Sequence, residues 1–446
     1  MDVIGTVSAN LHSCLNEELD QLARDCNVVV RKRVFTGRTL LLMIVGTLLR
    51  KPDATWADFH QTAAQLDLDV CQTAVEKRFA AGQPLVDFFR SAFEIALQKS
   101  VAAMPDAASQ FQQFTAVLVG DATSIPLPDD LAELFAGCGG CEGTSNAALK
   151  LQVLWDLKSG KLAQLLVEAG KASDAKSPIT QAELAAGNLL VFDLGYFDLN
   201  RLSAIDKGKA KFISRLQHGT SIFESKDKPL NLLTYLRQQS TGLVDQMILL
   251  GAAVQLSCRL VGIRVPEEVA NRRRQQARQQ AAKKGRPEPK AEYLELLGWS
   301  LFVTNCSPEE LTWKAVVVLY RARWQIELMF KLWKSHNRLA KHREGAPALE
   351  VLAVFYAKLL GVVLQHWIMV ATAWRLAGRS LLRAARAVAE QIKELLQALG
   401  DEEALRACLM RLSEIIEKLG GTTNRSKNPS HAQLIDDPEL LNWLCA

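Results

Sequence analysis

The sequence lacks what would turn its cysteines into a framework. Nine of them are scattered along 446 residues, an odd set that fits a reducing cytoplasm better than a disulfide-stapled secreted fold. The one close pair, Cys138-Gly-Gly-Cys141, has no second pair and no nearby histidine. A structural zinc needs four ligands, so a glycine-rich loop carrying two thiols is the better reading. No basic segment followed by a long apolar run opens the chain, so no secretory leader is expected. The longest apolar stretch, 351–374, is interrupted by Lys358 and His366 and reads as a buried helix, not a membrane span. Charge of one sign is not in large excess: 53 Lys and Arg against 48 Asp and Glu leave a net charge of +5, too little to argue for nucleic acid by itself. No internal repeat is visible. What remains is a cytoplasmic globular protein with no membrane partner, too long for one ordinary core and with the apolar and charged fractions (49% and 23%) of that class.

The pattern changes along the chain. Residues 1–108 form a helical N-terminal region, with helices expected at 11–26, 39–49, 56–65, 70–80 and 84–100. The pair 56–65 and 70–80 has a helix–turn–helix shape that would expose Gln72, Thr73, Lys77 and Arg78 to a DNA groove; an ordinary helical hairpin reads the same way. From residue 114 strands take over. Two apolar runs, Thr115–Asp121 and Asn188–Asp193, are each expected to end on a carboxylate, and such runs belong in the centre of a sheet. A hairpin spans 148–168, a short helix is expected around 180–186, a helix at 198–205 and a strand at 210–215. Residues 220–300 break this alternation, with strand-like pieces at 247–253 and 255–265. They also hold a basic run, 271–290, with eight Lys and Arg and one acid. That run is either a solvated linker helix or, since like charges repel unless neutralised, a contact for a polyanion. A strand at 299–305 and one long helix over 308–343 follow. Residues 375–446 read as a helical C-terminal region with a polar tail at 420–429.

The chemistry is concentrated in the stretch from Tyr320 to Lys334. As one helix it puts Tyr320, Arg323, Glu327, Lys331 and Lys334 on a single face. A lone acid among phosphate-binding groups suggests a metal ligand on a surface that receives a polyanion. Asp121 and Asp193 at the ends of central strands would supply two more acids, since ligands of open sheets gather beyond the carboxyl ends of strands. Three acids meeting there would repel unless a hard divalent cation neutralised them. With no histidine or cysteine beside them, Mg2+ or Mn2+ is favoured over zinc, and two ions could serve both attacking and leaving oxygens of a phosphodiester.

These residues resemble those of a known family. The spacing Tyr320-x2-Arg323-x3-Glu327-x6-Lys334 is similar to the Y-R-E-K signature of bacterial insertion-sequence transposases, the cut-and-paste DDE enzymes with an RNase H-like core. The resemblance extends to Gly120–Pro128 around the first acid, Phe192–Asp198 around the second, and Leu297–Asn305 before the glutamate, and covers roughly residues 110–345. It implies an α/β RNase H-like catalytic domain over 109–374, a mixed sheet flanked by helices, interrupted by a β-rich insertion at 220–300 that accounts for the long gap between second and third acid. It further implies that Asp121, Asp193 and Glu327 bind two Mg2+ or Mn2+ ions, and that Tyr320, Arg323 and Lys334 hold phosphates of double-stranded transposon ends. Trp299 matches a position that can stack on a flipped base, although plain core packing fits it as well. Lys331 and Arg215 are further DNA-contact candidates from helix spacing and strand-end position. By the same analogy the N-terminal region binds terminal inverted repeats, the C-terminal region pairs two protomers in a synaptic complex, and target DNA is the second substrate. The alternatives are a catalytically silent DNA-binding regulator or domesticated derivative, and an RNase H-like nuclease without strand transfer.

Overall fold

The computed structural model describes residues 2–14, 17–31, 34–99, 101–103, 111–139, 145–180, 185–374, 380–419 and 431–441. Six helices open the chain: α1 (Val3–Cys14), α2 (Glu17–Asp25), α3 (Gly37–Arg50), α4 (Trp56–Gln65), α5 (Gln72–Phe79) and α6 (Gln83–Gln98). Strands β1 (Val117–Leu127), β2 (Ala147–Asp156), β3 (Leu162–Ala169) and β4 (Leu189–Phe192) follow, then α7 (Leu199–Lys207) and β5 (Lys211–Arg215). The segment 220–300 supplies β6 (Ile222–Ser225), β7 (Lys228–Pro229), α8 (Leu232–Arg237), β8 (Leu243–Leu250), β9 (Leu256–Arg264), α9 (Glu267–Lys283) and α10 (Ala291–Leu296). After β10 (Trp299–Thr304) come α11 (Trp313–Ala322), α12 (Trp324–Lys331) and α13 (Ala348–Ala373). The described helices end with α14 (Leu381–Glu390), α15 (Ile392–Ala398), α16 (Glu402–Lys418) and α17 (His431–Asp436).

Contacts divide the chain into two compact units, one of Met1–Asp106, Ala122–Ala172 and Ile326–Thr422, the other of Ala107–Asp121, Ser173–Gln325 and Thr423–Ala446. The division expected from sequence, 1–108, 109–374 and 375–446, is cut across by these units. Helices α1 to α6 and α14 to α16 fall in the first, where α16 packs on α1 and on α13, while α17 falls in the second.

The first unit is built round α13. This helix is long and apolar enough to cross a membrane, but most of its apolar window is buried inside the protein, against α3, α6, α14 and α16. Gly361 allows the approach of α3, since a Cβ there would meet Leu49 at 3.2 Å. Two buried polar groups of α13 are matched within the unit: Lys358 donates to the carbonyl oxygens of Arg338 and Lys341, and Gln365 accepts from Asn337 and donates to Ala385. Buried polar groups are tolerated when bonded in this way. Helix α3 starts at a capping box formed by Thr36 and Thr39, and its central Leu40–Val45 run is buried. The α4–α5 hairpin is present, with Gln72, Thr73 and Lys77 exposed and the Arg78 guanidinium drawn over the Phe35 ring at 5.0 Å. The β2–β3 hairpin pairs antiparallel from Leu149–Ala169 onward.

In the second unit, β1, β4 and β5 are parallel neighbours and β10 joins antiparallel on β5. The order continues through β9, β8, β6 and β7. The strands of 220–300 therefore extend the sheet through β10, while α8, α9 and α10 make the segment more helical than the sequence pattern suggests.

Several sequence expectations change in detail. Helix 11–26 is two helices, α1 and α2. The single helix over 308–343 is instead α11, α12 and a π-helical turn, Leu332–His336. Arg323 marks the first break, its N–H making a tightened i→i−3 bond to Tyr320; the wide π turn lets Met329, Phe330, Leu332 and Trp333 all be buried. Strand β1 does not end at Asp121 but continues to Leu127; what stops at Gly120 is its pairing with β4. Of the helix expected near 180–186, Pro178–Thr180 is a 3-10 turn and 181–184 lie outside the described residues. So do Cys141, the tail at 420–429 and the last five residues.

Candidate active site

Sheet register brings the first site residues together. The last paired rung across β1, β4 and β5 is Gly120, Phe192 and Ser214. One residue further along three parallel strands stand Asp121, Asp193 and Arg215. The apolar side chains below them, Val117, Val119, Leu189, Val191, Phe212 and Ile213, are fully buried, which is why these strands lie in the sheet centre and fix the polar rung at its edge. Two carboxylates and a guanidinium are thereby placed side by side on neighbouring strands.

Helix α11 supplies their partners. Arg323, at its end, donates from Nη1 to Asp121 Oδ2 at 3.0 Å, with both side chains under one-fifth exposed. Tyr320 donates from its hydroxyl to Asp193 Oδ1 at 3.3 Å. Burial pushes the Tyr320 phenol up, and the adjacent Asp193 carboxylate pushes it further, so the phenol stays neutral and remains a donor. Asp193 precedes the 3-10 turn Leu194–Tyr196 but makes no side-chain capping bond there. Its carboxylate is therefore held by Tyr320 instead of acting as a turn former.

The other residues singled out by sequence are placed as follows. Glu327 lies in the first turn of α12, half-buried, with Lys331 exposed at the end of that helix and Lys334 exposed in the π turn. Trp299 is 6% exposed in β10, with the Arg264 guanidinium 5.1 Å above its ring, the packing of a core residue with a cation already on one face. Among the described residues no three His, Cys, Asp or Glu side chains stand close enough to share one metal ion. The donor set at the rung is nonetheless of hard carboxylate oxygens, the type that suits Mg2+ or Mn2+.

One contributor was missed. Arg201, on α7, lies 4.1 Å over the Phe192 ring and 5.7 Å from the Tyr196 ring, and donates to the Tyr196 carbonyl. Its Nε and Nη2 are buried with no partner among the described residues, and burial lowers its pKa to about 10. It braces the turn that follows Asp193. The only sequence signal was its position three residues after Asp198, which caps α7 through the Arg201 N–H; nothing in that spacing tells which way the side chain turns.

The central parallel strands, the antiparallel extension, the flanking helices and the helical terminal regions define an RNase H-like fold with acids on its central strands. The transposase DDE domain family matches residues 112–360, more than half of the chain, and the chain belongs to that family. Similar proteins include the transposase of insertion sequence element IS231F from Bacillus thuringiensis subsp. israelensis, 26% identical over 92% of this chain and 90% of that one. The transposase of IS231D from subsp. finitimus is 29% identical over 71% and 70%, and that of IS1151 from Clostridium perfringens 24% identical over 79% and 78%. The protein is an enzyme acting on DNA, a transposase of an insertion sequence, and divalent metal ions are the general cofactors of such domains.

Proposed function

We propose that this transposase excises its own element and inserts it elsewhere by metal-dependent strand cleavage and strand transfer at terminal inverted repeats. The observation that carries this reading is the rung holding Asp121 and Asp193 side by side, each already met by a donor from α11. Asp121, Asp193 and Glu327 are the proposed ligands of two Mg2+ or Mn2+ ions, which when bound would activate the attacking oxygen and stabilise the leaving one. Arg323 and Tyr320 then hold the charge and orientation of the two Asp carboxylates until DNA offers phosphate oxygens. Arg323 presents a planar fork suited to a phosphate, and Lys334 a point charge. Arg215, beside Asp193, and Lys331 on α12 are further proposed DNA contacts. Trp299 serves base stacking only if Arg264 leaves its ring. The partners of this reading are double-stranded transposon ends and target DNA, handled by a homodimer in a synaptic complex in the cytoplasm.

The test is Glu327→Gln. Cleavage of a duplex carrying the element's end is expected to be lost while binding to that duplex is kept. Loss of both would make Glu327 an architectural residue and remove it from the proposed metal set.

A further inference from the structure

The basic run of 271–290 is sorted by the fold into two groups. Arg273, Arg274 and Arg278 are tied down. Arg273 donates to the Trp299 carbonyl at 3.2 Å and to Ser300 Oγ at 3.1 Å. Arg274 donates to the Leu294 carbonyl and pairs with Glu267, and Arg278 pairs with Glu288. These bonds, with the buried Ala270, fasten one face of α9 to the α10–β10 segment. The other five cations, Arg272, Lys283, Lys284, Arg286 and Lys290, are exposed, and no side-chain partner is found for them among the described residues.

The exposed group is ordered along the helix. Arg272 and Lys283 are eleven residues apart, which returns to the same face about 16 Å further on. Between them on that face lie Gln276 and Gln279, both exposed, and Lys284 and Arg286 continue the row past the helix end. Cations at the C-terminal turn have a plain role in offsetting the helix dipole, but Arg272 sits in the first two turns, where a cation gains nothing from it. The exposed face carries cations and amides with no large apolar side chain, so it offers nothing to insert into a lipid surface. Cations for phosphates and amides for phosphate or sugar oxygens are the groups that track a nucleic-acid backbone.

We infer that the exposed face of α9 is a sequence-independent binding surface for the phosphate backbone of duplex DNA, separate from the residues at Asp121 and Asp193. The inference rests on the transposase reading above and extends it. The helix is anchored at Trp299 and Ser300 of β10, which pairs with β5, the strand carrying Arg215 beside Asp193. DNA engaged by that central rung and DNA on α9 are therefore held by one unit of the fold.

The test compares the full-length protein with the variant Arg272→Gln/Lys283→Gln/Lys284→Gln/Arg286→Gln, measuring anisotropy of a labelled duplex of unrelated sequence across a salt series. Each phosphate contact contributes about 0.9 to the slope of log affinity against log salt. The variant should lose about 2 to 4 from that slope and bind at least about tenfold more weakly near 0.1 M salt. Cleavage of the element's own end at saturating protein should be unchanged. A second variant, Gln276→Glu/Gln279→Glu, keeps every cation and should weaken binding by repulsion. Unchanged slope and affinity in both variants, with wild type binding and cutting normally, would overturn the α9 assignment alone. Wild type that binds neither duplex would overturn the transposase reading with it. Variants that lose binding to anionic phosphatidylserine vesicles while keeping their duplex affinity would overturn the assignment in favour of a membrane surface.

Discussion

Arg323 is proposed to serve two purposes. It neutralises Asp121 at 3.0 Å, and its guanidinium is the group best shaped to take a phosphate. Arg323→Ala should weaken DNA binding and flatten its salt dependence by about one phosphate contact, a slope change of roughly 0.9. Equal slopes for the two proteins would contradict a phosphate contact. Lys358 gives a residue-scale prediction about stability. Burial lowers its pKa from 10.5 to about 8, so the folded state sheds a proton that the unfolded chain still holds between those values. Its contribution to stability should therefore rise as pH climbs from about 8 to 10.5, by about 3 kcal/mol in total. Urea midpoints of wild type and Lys358→Met should diverge in the wild type's favour over that window; parallel curves would refute the depressed pKa. The neighbouring placement of Asp121 and Asp193 was legible because apolar strands lead into them. Arg215 was named only from its strand-end position, and its place beside Asp193 follows from parallel register, which no local pattern encodes. The burial of Trp299 under Arg264 was equally unreadable, because a tryptophan suits a core and a stacking platform alike.

Elements were read well where one period dominates. Helix α4, the β2–β3 hairpin, β4, β5 and β10 lie within a residue or two of their expected bounds, since their apolar spacing and turn residues agree. The reading failed where a helix changes its winding. The i→i−3 bond at Arg323 and the π turn at Leu332–His336 leave hydrophobic spacing almost intact, so 308–343 looked continuous. The extension of β1 past Asp121 was hidden because the pairing with β4 stops at Gly120 while the strand runs on. Between β8 and β9, Arg259 is 2% exposed and forks onto Asp245, at 26%. Asp245→Ala would strand a buried guanidinium and should cost about 3 kcal/mol, read as a shift in unfolding midpoint. The exposed pair Lys211–Glu310 gives the contrast: Glu310→Ala should cost under about 1 kcal/mol. Equal losses in the two variants would mean burial does not govern these pairs.

For the whole molecule, sequence order and compactness differ. Terminal helical regions far apart in sequence pack together, α1 against α16, while 220–300 joins the sheet through β10. Such long-range closure depends on which apolar faces meet, and the pattern of any one helix does not say which. The RNase H-like character and the family were nevertheless visible, because the order of three acids and the Tyr320, Arg323 and Lys334 spacing resemble the family signature. We propose that the rung at Asp121 and Asp193 is the catalytic centre. Its most direct test is cleavage of a labelled duplex carrying the element's own end, with and without Mg2+, by wild type and by Asp193→Asn. Wild type is expected to cut at the end in Mg2+ and the variant not to, with DNA binding kept by both. Binding without cutting by wild type in both Mg2+ and Mn2+, or full cutting by Asp193→Asn, would contradict it.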